Sequence, residues 1–326
     1  MITEMTYSEA ACLALQREME ADPTVWALGE DLGPEGGSGG QYRGLQAQFG
    51  RERIVDTPIS ENMMMAAAVG AAISGTRPVV ELRFADFAMC AADEIVNQAA
   101  KIRYMFNDQT RVPVVIRNAM GMRNGVAAQH SQSLEAWWVH IPGLVVVAPA
   151  TPADNYGLLR TAIRCEDPVI YLEHKSLWQS KGAVDPDAQL PALGKAEIIK
   201  PGQDVTIVSW SAMRGVCLDA AERLAQDGIS AEVLDLRTLW PWDREAVETS
   251  VRKTGRLIVA QEAVRVGGFG AEVVAEMTEV VWGSLRCAPR RLGAPRVPVP
   301  YSTPLEDMIK VTAAHITNSV TTMVRE

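Results

Sequence analysis

Short apolar runs alternate with stretches of helical period along nearly the whole chain. Val25 to Leu28, Val79 to Phe84, Val112 to Ile116, Leu144 to Val147 and Val169 to Leu172 read as strands. Helical patterns separate them, at Thr6–Glu20, Glu61–Ser74, Phe87–Phe106, Leu134–Val139 and Ala153–Arg164. Near-continuous apolar strands are those of a parallel sheet buried on both faces, and the helices between them are its crossovers. Thr6 and Glu9 have the spacing of a capping box, and Ser60 is placed to cap the helix that begins at Glu61.

From Lys175 to Gln203 the period is lost among Pro186, Pro191 and Pro201. A second α/β run follows: strands Val205–Ser209, Ala231–Leu236 and Leu257–Gln261, with helices Ala212–Gln226, Asp243–Val251 and Gly270–Val281. A Pro-rich stretch, Ala288 to Pro304, leads to one terminal helix, Leu305 to Val324. At about 100–200 residues per domain, the 326 residues make two. The expectation is an α/β chain of two domains, each a mostly parallel sheet flanked by helices, at residues 1–180 and 200–326 with 181–199 as linker.

A net charge of −9 argues against a nucleic-acid surface. The acidic N-terminus has no secretory pattern, and the longest small-apolar stretch, Met63 to Gly75, is too short to span a bilayer, so no membrane role is expected. Five widely spaced cysteines without a C-x-x-C pair read as reduced thiols in the cytoplasm.

Three features are candidates for chemistry. Gly267-Gly268-Phe269-Gly270 opens a helix after a strand, so it is either an anion-binding turn or simply a tight turn. Glu61 is either a first-turn acid favoured by the helix dipole or a carboxylate beside a ligand. His130 lies in the loop after a parallel strand, where open α/β sheets place their ligands, but a packed loop histidine has the same sequence.

Several motifs, in order, resemble one family. They are Asp56-Thr57-Pro58-Ile59-Ser60-Glu61, Ala67-Ala68-Val69-Gly70-Ala71-Ala72, Phe84-Ala85-Asp86-Phe87, Asn97-Gln98-Ala99-Ala100-Lys101 and Ala128-Gln129-His130-Ser131-Gln132. Asp167-Pro168-Val169-Ile170, Glu173-His174-Lys175 and Val297-Pro298-Val299-Pro300-Tyr301 extend the likeness over essentially the whole chain. The chain is similar to β subunits of thiamine-diphosphate-dependent 2-oxoacid dehydrogenases, a pattern shared by acetoin dehydrogenase β subunits.

The resemblance implies a pyrimidine-binding domain followed by a transketolase-type C-terminal domain. Glu61 would hydrogen-bond the aminopyrimidine ring nitrogen and so promote loss of the thiazolium proton. His130 would orient groups or move protons during transfer to lipoamide. Phe87 would pack on the aminopyrimidine, beside Ile59. Arg83 departs from the Met or Gln of relatives, and could repel a protonated ring or pair with Glu61. A structural K⁺ would map to Val114, Ala162, Cys165 and Asp167. The family's Gly-Asp-Gly motif, which holds Mg²⁺ and diphosphate on the α subunit, is absent here. The resemblance therefore implies an α subunit partner in an α₂β₂ assembly and a lipoyl-bearing acyltransferase core, with pyruvate, acetoin or a branched-chain 2-oxoacid as substrate. The His130 motif leans to pyruvate or acetoin; Asn97–Phe106 and Leu172–Lys175 lean to acetoin. Two other readings are a docking subunit without chemistry and a self-sufficient thiamine enzyme of the transketolase kind.

Overall fold

The capping box forms as its spacing predicts. In the computed structural model, which describes residues 1–325, Glu9 N–H donates to Thr6 Oγ1 at 3.2 Å and Thr6 N–H to Glu9 Oε2 at 2.7 Å. This box opens α1 (Tyr7–Ala21) directly after β1 (Thr3–Thr6). The chain divides into two units. The first is Met1–Met120 with Trp137–Leu193; the second is Gly121–Ala136 with the chain from Gly194 on.

The first unit continues with β2 (Val25–Gly29), α2 (Leu45–Phe49), β3 (Ile54–Asp56), α3 (Glu61–Ile73), β4 (Arg77–Glu81), α4 (Ala100–Met105) and β5 (Val115–Met120). After α5 (Glu135–Val139), whose first two residues are counted with the second unit, come β6 (Val145–Val147), α6 (Pro152–Arg164), β7 (Val169–His174) and β8 (Lys181–Val184). Its parallel strands lie in the order β6-β7-β5-β4-β2-β3, with Val79 opposite Val115 and Val115 opposite Val169. Helices α1 and α6 seal one face through Leu15, Met19, Leu158, Leu159 and Ile163.

Three polar residues interrupt this interior on neighbouring strands. Arg117 of β5, with no exposed surface, forks onto Glu173 of β7 at 2.8 and 2.9 Å. Glu81 of β4 lies opposite Arg117 and accepts the Tyr42 hydroxyl at 3.0 Å, while the Tyr42 ring faces the guanidinium at 4.9 Å. Asn155 of α6 completes the set by donating to Glu173 at 3.0 Å. Burial pushes the Glu81 carboxyl up to about 7, because Arg117 is shared with Glu173.

The second unit contains β9 (Glu197–Lys200), β10 (Val205–Ser209), α7 (Met213–Gln226), β11 (Ala231–Asp235), β12 (Thr238–Trp240), α8 (Arg244–Thr254) and β13 (Leu257–Val264). It ends with α9 (Gly270–Val281), β14 (Arg290–Ala294), α10 (Thr303–Ile309) and α11 (Ala313–Arg325). Its sheet runs β14-β13-β10-β11-β9, parallel except at β9. Ile207, Leu224, Val233, Ile258, Ile316 and Val320 form its core.

The alternating α/β pattern is borne out, and several local expectations are corrected. The run Phe87–Phe106 is not one α-helix. It winds tightly over Ala85–Ala91, widens to a π-helix at Glu94–Ala99 and becomes α only in α4. Ala85, Ala88, Ala91, Ala99 and Ala100 are all buried, and alanines fit any winding, so their spacing does not fix one. Strand β5 starts at Val115, not Val112, since Pro113 has no N–H for a ladder and Val114 N–H turns back to Val112 O at 2.8 Å. Ser60 occupies the cap position without capping: its hydroxyl donates to Pro58 O at 3.3 Å. The stretch 181–199 holds the ends of two short strands, β8 on β1 and β9 on β11. The Pro-rich stretch contains β14, which its composition hid. The terminal helix is two helices, because Thr312 and His315 cap each other's backbone N–H and restart the winding at α11.

Candidate cofactor-activating site

In the first unit the carboxyl end of β2 and the first turn of α3 meet. Thr57 N–H donates to Gly29 O at 2.9 Å, which ties the turn before α3 to the end of β2. Glu61 is the first residue of α3 and is 8% exposed. Among the described residues no donor is bonded to its carboxylate, so it is a buried acceptor at a helix N-terminus, where negative charge is favoured. Ile59, two residues earlier, is 78% exposed.

Glu30 follows β2 and is also buried. Burial, then the charge of Glu61, raises its carboxyl above the ordinary value, while Arg83 acts in the opposite sense. Glu30 carries no motif in the sequence, although the rule that selected His130, a polar residue just past a strand's carboxyl end, applies to it as well.

Arg83 follows β4 with φ +30°, and its guanidinium donates to Asp31 at 2.9 Å; Asp31 has φ +56°. Two non-glycine residues in the left-handed region, joined by an ion pair, mark a backbone held by its surroundings. Of the two expectations for Arg83, the pairing partner is Asp31 rather than Glu61. Phe87 sits in the tight turn beyond, edge-on to Phe84 at 5.7 Å between ring centres. Phe84 also faces the ammonium of buried Lys175 at 5.4 Å.

These residues suit an aminopyrimidine: a buried acceptor for a ring N–H, an aromatic neighbour in Phe87, and exposed apolar surface at Ile59. The structure thus keeps Ile59, Glu61, Arg83 and Phe87 in one unit. His130 lies in the segment Gly121–Ala136, which belongs to the second unit. Its N–H reaches Ala127 O at 3.4 Å, and Gly121 N–H meets Gln132 O at 3.2 Å to close the loop.

The four K⁺ positions are engaged with protein groups. Val114 O accepts from Val169 N–H at 2.9 Å and Ala162 O from Cys165 N–H at 3.1 Å. Cys165 O and Ile163 O both accept from Arg77 at 3.1 Å, and Asp167 accepts from Arg103 at 2.6 Å. Among the described residues no group of three His, Cys, Asp or Glu side chains is placed to hold a metal. The Gly267–Gly270 segment is a tight turn whose space and donor are taken. Gln261 Oε1 already accepts Gly270 N–H at 2.8 Å, and a Cβ at Gly268 would lie 1.8 Å from Gln261 Nε2. His174 caps the turn after β7, its Nδ1 accepting Ser176 N–H at 3.2 Å.

Comparison with known proteins fits this geometry. Residues 3–181 match the family model of the transketolase pyrimidine-binding domain, and residues 194–316 that of the transketolase C-terminal domain. The chain is 44% identical over 313 residues to the β subunit of acetoin:2,6-dichlorophenolindophenol oxidoreductase of Cupriavidus necator, covering 93% of this chain and 92% of that one. It is 41% identical to the 2-oxoisovalerate dehydrogenase β subunit of Bacillus subtilis, covering 94% of each. It is 44% identical to the mitochondrial pyruvate dehydrogenase E1 component subunit beta-2 of Oryza sativa subsp. japonica, covering 94% of this chain and 82% of that one. Among solved structures, a split-gene transketolase described as an inactive β4 tetramer superposes with a TM-score of 0.81 at 26% identity, covering 98% of both chains. With a buried glutamate at the start of α3, two matching domain models and relatives similar over almost their full length, the chain belongs to the β-subunit family of the thiamine-diphosphate-dependent 2-oxoacid and acetoin dehydrogenases.

Proposed function

We propose that this chain is the proton-handling half of a 2-oxoacid or acetoin dehydrogenase, with Glu61 as the group that activates the cofactor. The observation that carries this is the buried Glu61 carboxylate with no bonded donor among the described residues, beside a second buried carboxylate, Glu30. Thiamine diphosphate, when bound, supplies a thiazolium carbon able to attack a carbonyl and accept the electrons of a cleaved C–C bond. Glu61 takes a hydrogen bond from the aminopyrimidine ring and shares its proton. Burial and the charge of Glu61 raise the Glu30 carboxyl above its ordinary value, so the two acids are coupled. Phe87 and Ile59 hold the ring flat and exclude water. Arg83, fixed by Asp31, adds positive charge beside the pair.

His130 acts later, as the acid–base group in transfer to a lipoyl group on an acyltransferase core. Mg²⁺ and diphosphate fall to the α subunit in an α₂β₂ assembly, in keeping with the missing Gly-Asp-Gly. A K⁺ at Val114, Ala162, Cys165 and Asp167 would use the second lone pairs of those carbonyls and would compete with Arg77 for Cys165. The substrate is pyruvate or acetoin, for which the Ala128–Gln132 motif speaks; the three relatives above, named for acetoin, pyruvate and 2-oxoisovalerate, lie at 41–44% identity, so overall similarity does not choose. No described helix is long and apolar enough to cross a membrane. The five widely spaced cysteines, all unpaired, suit a reducing compartment such as the cytoplasm.

The test is co-expression with the α subunit encoded nearest this chain, followed by assay of pyruvate, acetoin and branched-chain 2-oxoacids with an artificial electron acceptor. Turnover should need both subunits, and the isolated chain should bind thiamine diphosphate poorly. Tight Mg²⁺-dependent binding to the isolated chain, seen by titration calorimetry, would sink the division of labour.

A further inference from the structure

The loop that carries His130 has no regular structure between Gly121 and Leu134, and Gly121, Gly125 and Ala127 all have positive φ. A segment with so few backbone bonds of its own has low local stability unless other groups restrain it. Within the second unit, three residues outside the loop are among those that do so. Lys310 donates to Asn124 at 2.9 Å, and Trp210 donates its indole N–H to Glu135 at 3.1 Å. Trp210 is itself wedged edge-on against Phe269 at 5.5 Å, so this tie is rigid.

The third is Glu262 on β13, and its geometry differs. A single oxygen, Oε1, accepts both the Met122 N–H at 2.8 Å and the Ser133 hydroxyl at 2.9 Å. Met122 precedes His130 and Ser133 follows it. One carboxylate oxygen therefore gathers the two ends of the loop, at the same point where Gly121 N–H meets Gln132 O. Bonds to an ionised acceptor are about twice as strong as neutral ones. Joining the ends at one atom also removes much of the loop's freedom before any ligand arrives.

We propose that Glu262 is a positioning residue for His130: its carboxylate clasps both ends of the 122–133 loop and thereby fixes where the imidazole can reach. This rests on the reading of His130 as the acid–base group of lipoyl transfer. The clasp needs an oxygen with two lone pairs, and the negative charge strengthens both bonds. Glutamine keeps that oxygen and alanine does not. Ser133→Ala removes one of the two donors and leaves the Met122 bond.

The experiment uses the enzyme assembled with its α subunit and cofactor. Amide exchange of the 121–136 peptide is followed by mass spectrometry, thiazolium proton exchange by NMR, and acylation of a free lipoyl domain by mass spectrometry. Glu262→Ala should speed amide exchange in that peptide, leave thiazolium exchange at the parent rate and slow acylation by about 10–100-fold, the scale of one hydrogen bond to a charged group. Glu262→Gln should restore most of the acylation rate, and Ser133→Ala should fall between. Glu262→Ala combined with His130→Ala should be no slower than His130→Ala alone.

Unchanged amide exchange in Glu262→Ala would overturn the clasp. So would a loosened loop with parent acylation while His130→Ala is slow, a Gln variant as impaired as the Ala variant, or losses that multiply in the double variant. Should Glu262→Ala fail to assemble, Ser133→Ala and Glu262→Gln test the clasp in its place, since a Ser133→Ala enzyme identical to the parent in both exchange and acylation contradicts it. Parent acylation in His130→Ala would instead overturn the role of His130, and this proposal with it.

Discussion

Two buried glutamates on interior strands behave in opposite ways. Glu81 of β4 is 2% exposed and Glu232 of β11 is 1% exposed, so burial alone would push both carboxyls up. Glu81 goes up, to about 7, since its nearest cation, Arg117, is already forked onto Glu173. Glu232 has donors of its own. Lys253 bonds it, Ser250 donates to it at 2.6 Å, and Gly202 N–H lies at 3.2 Å. Burial raises the Glu232 carboxyl, yet these donors outweigh it and hold the group below its ordinary value. At Glu81 deep burial outweighs the shared Arg117 and the Tyr42 hydroxyl, whereas at Glu232, which lies nearer the surface beside half-exposed Lys253, the donors outweigh burial.

Glu61 extends the comparison to an acid with no bonded donor among the described residues, and here the largest effect is expected. Glu61→Gln is nearly isosteric but cannot share a proton in the same way. In the assembled enzyme it should slow proton exchange at the thiazolium carbon by about 10²–10⁴-fold, the range for loss of a positioned acid–base group. Assembly and thermal stability should change little. An unchanged exchange rate would return Glu61 to the role of a helix-start acid.

Arg117→Leu attacks the shared cation directly. Glu173 and Glu81 would then be buried without a guanidinium, and breaking a buried pair by removing one partner costs about 3–5 kcal/mol. Urea unfolding should show this loss. A loss below about 1 kcal/mol, the scale of a surface pair, would mean that water or rearrangement satisfies both acids.

The contrast between these glutamates also marks how far the sequence could be read. The apolar runs at Val79–Val80, Val115–Ile116 and Val169–Ile170 announced a parallel sheet, because burial on both faces leaves no polar alternation. Glu81 fell inside the strand read at Val79–Phe84, and Arg117 and Glu173 fell just past the strands read at Val112–Ile116 and Val169–Leu172. Their pairing depends on the register that sets Glu81 opposite Arg117, and register is a tertiary fact. The site was legible only where a motif carried it. Glu61 and Phe87 stand within recognisable strings, whereas Glu30 has no signature beyond following a strand. Capping followed local rules at Thr6 and failed at Ser60, whose hydroxyl turns back to donate to Pro58 O instead of accepting from the first turn of α3. The three windings between Ala85 and Met105 were invisible because alanine accepts each of them.

The smallest effect separates Glu81 from Glu232 by pH. The Glu81 carboxyl is raised when folded, so the folded chain binds more protons than the unfolded one between about pH 4.5 and 7. Stability must then fall as pH rises through that window, with a slope of at most about 1.4 kcal/mol per pH unit from this group. Glu232 is lowered, so its contribution is present above the ordinary carboxylate range and is lost only as pH falls through its folded value. The two slopes have opposite sign and lie in different windows. Glu81→Gln keeps an acceptor for the Tyr42 hydroxyl and removes the titration. Urea unfolding of the parent chain at several pH values from 5 to 8 should show a decline that Glu81→Gln flattens, leaving the variant the more stable of the two at pH 8. A decline that persists unchanged in Glu81→Gln would assign it to another group, with Glu30, also raised, the next to replace.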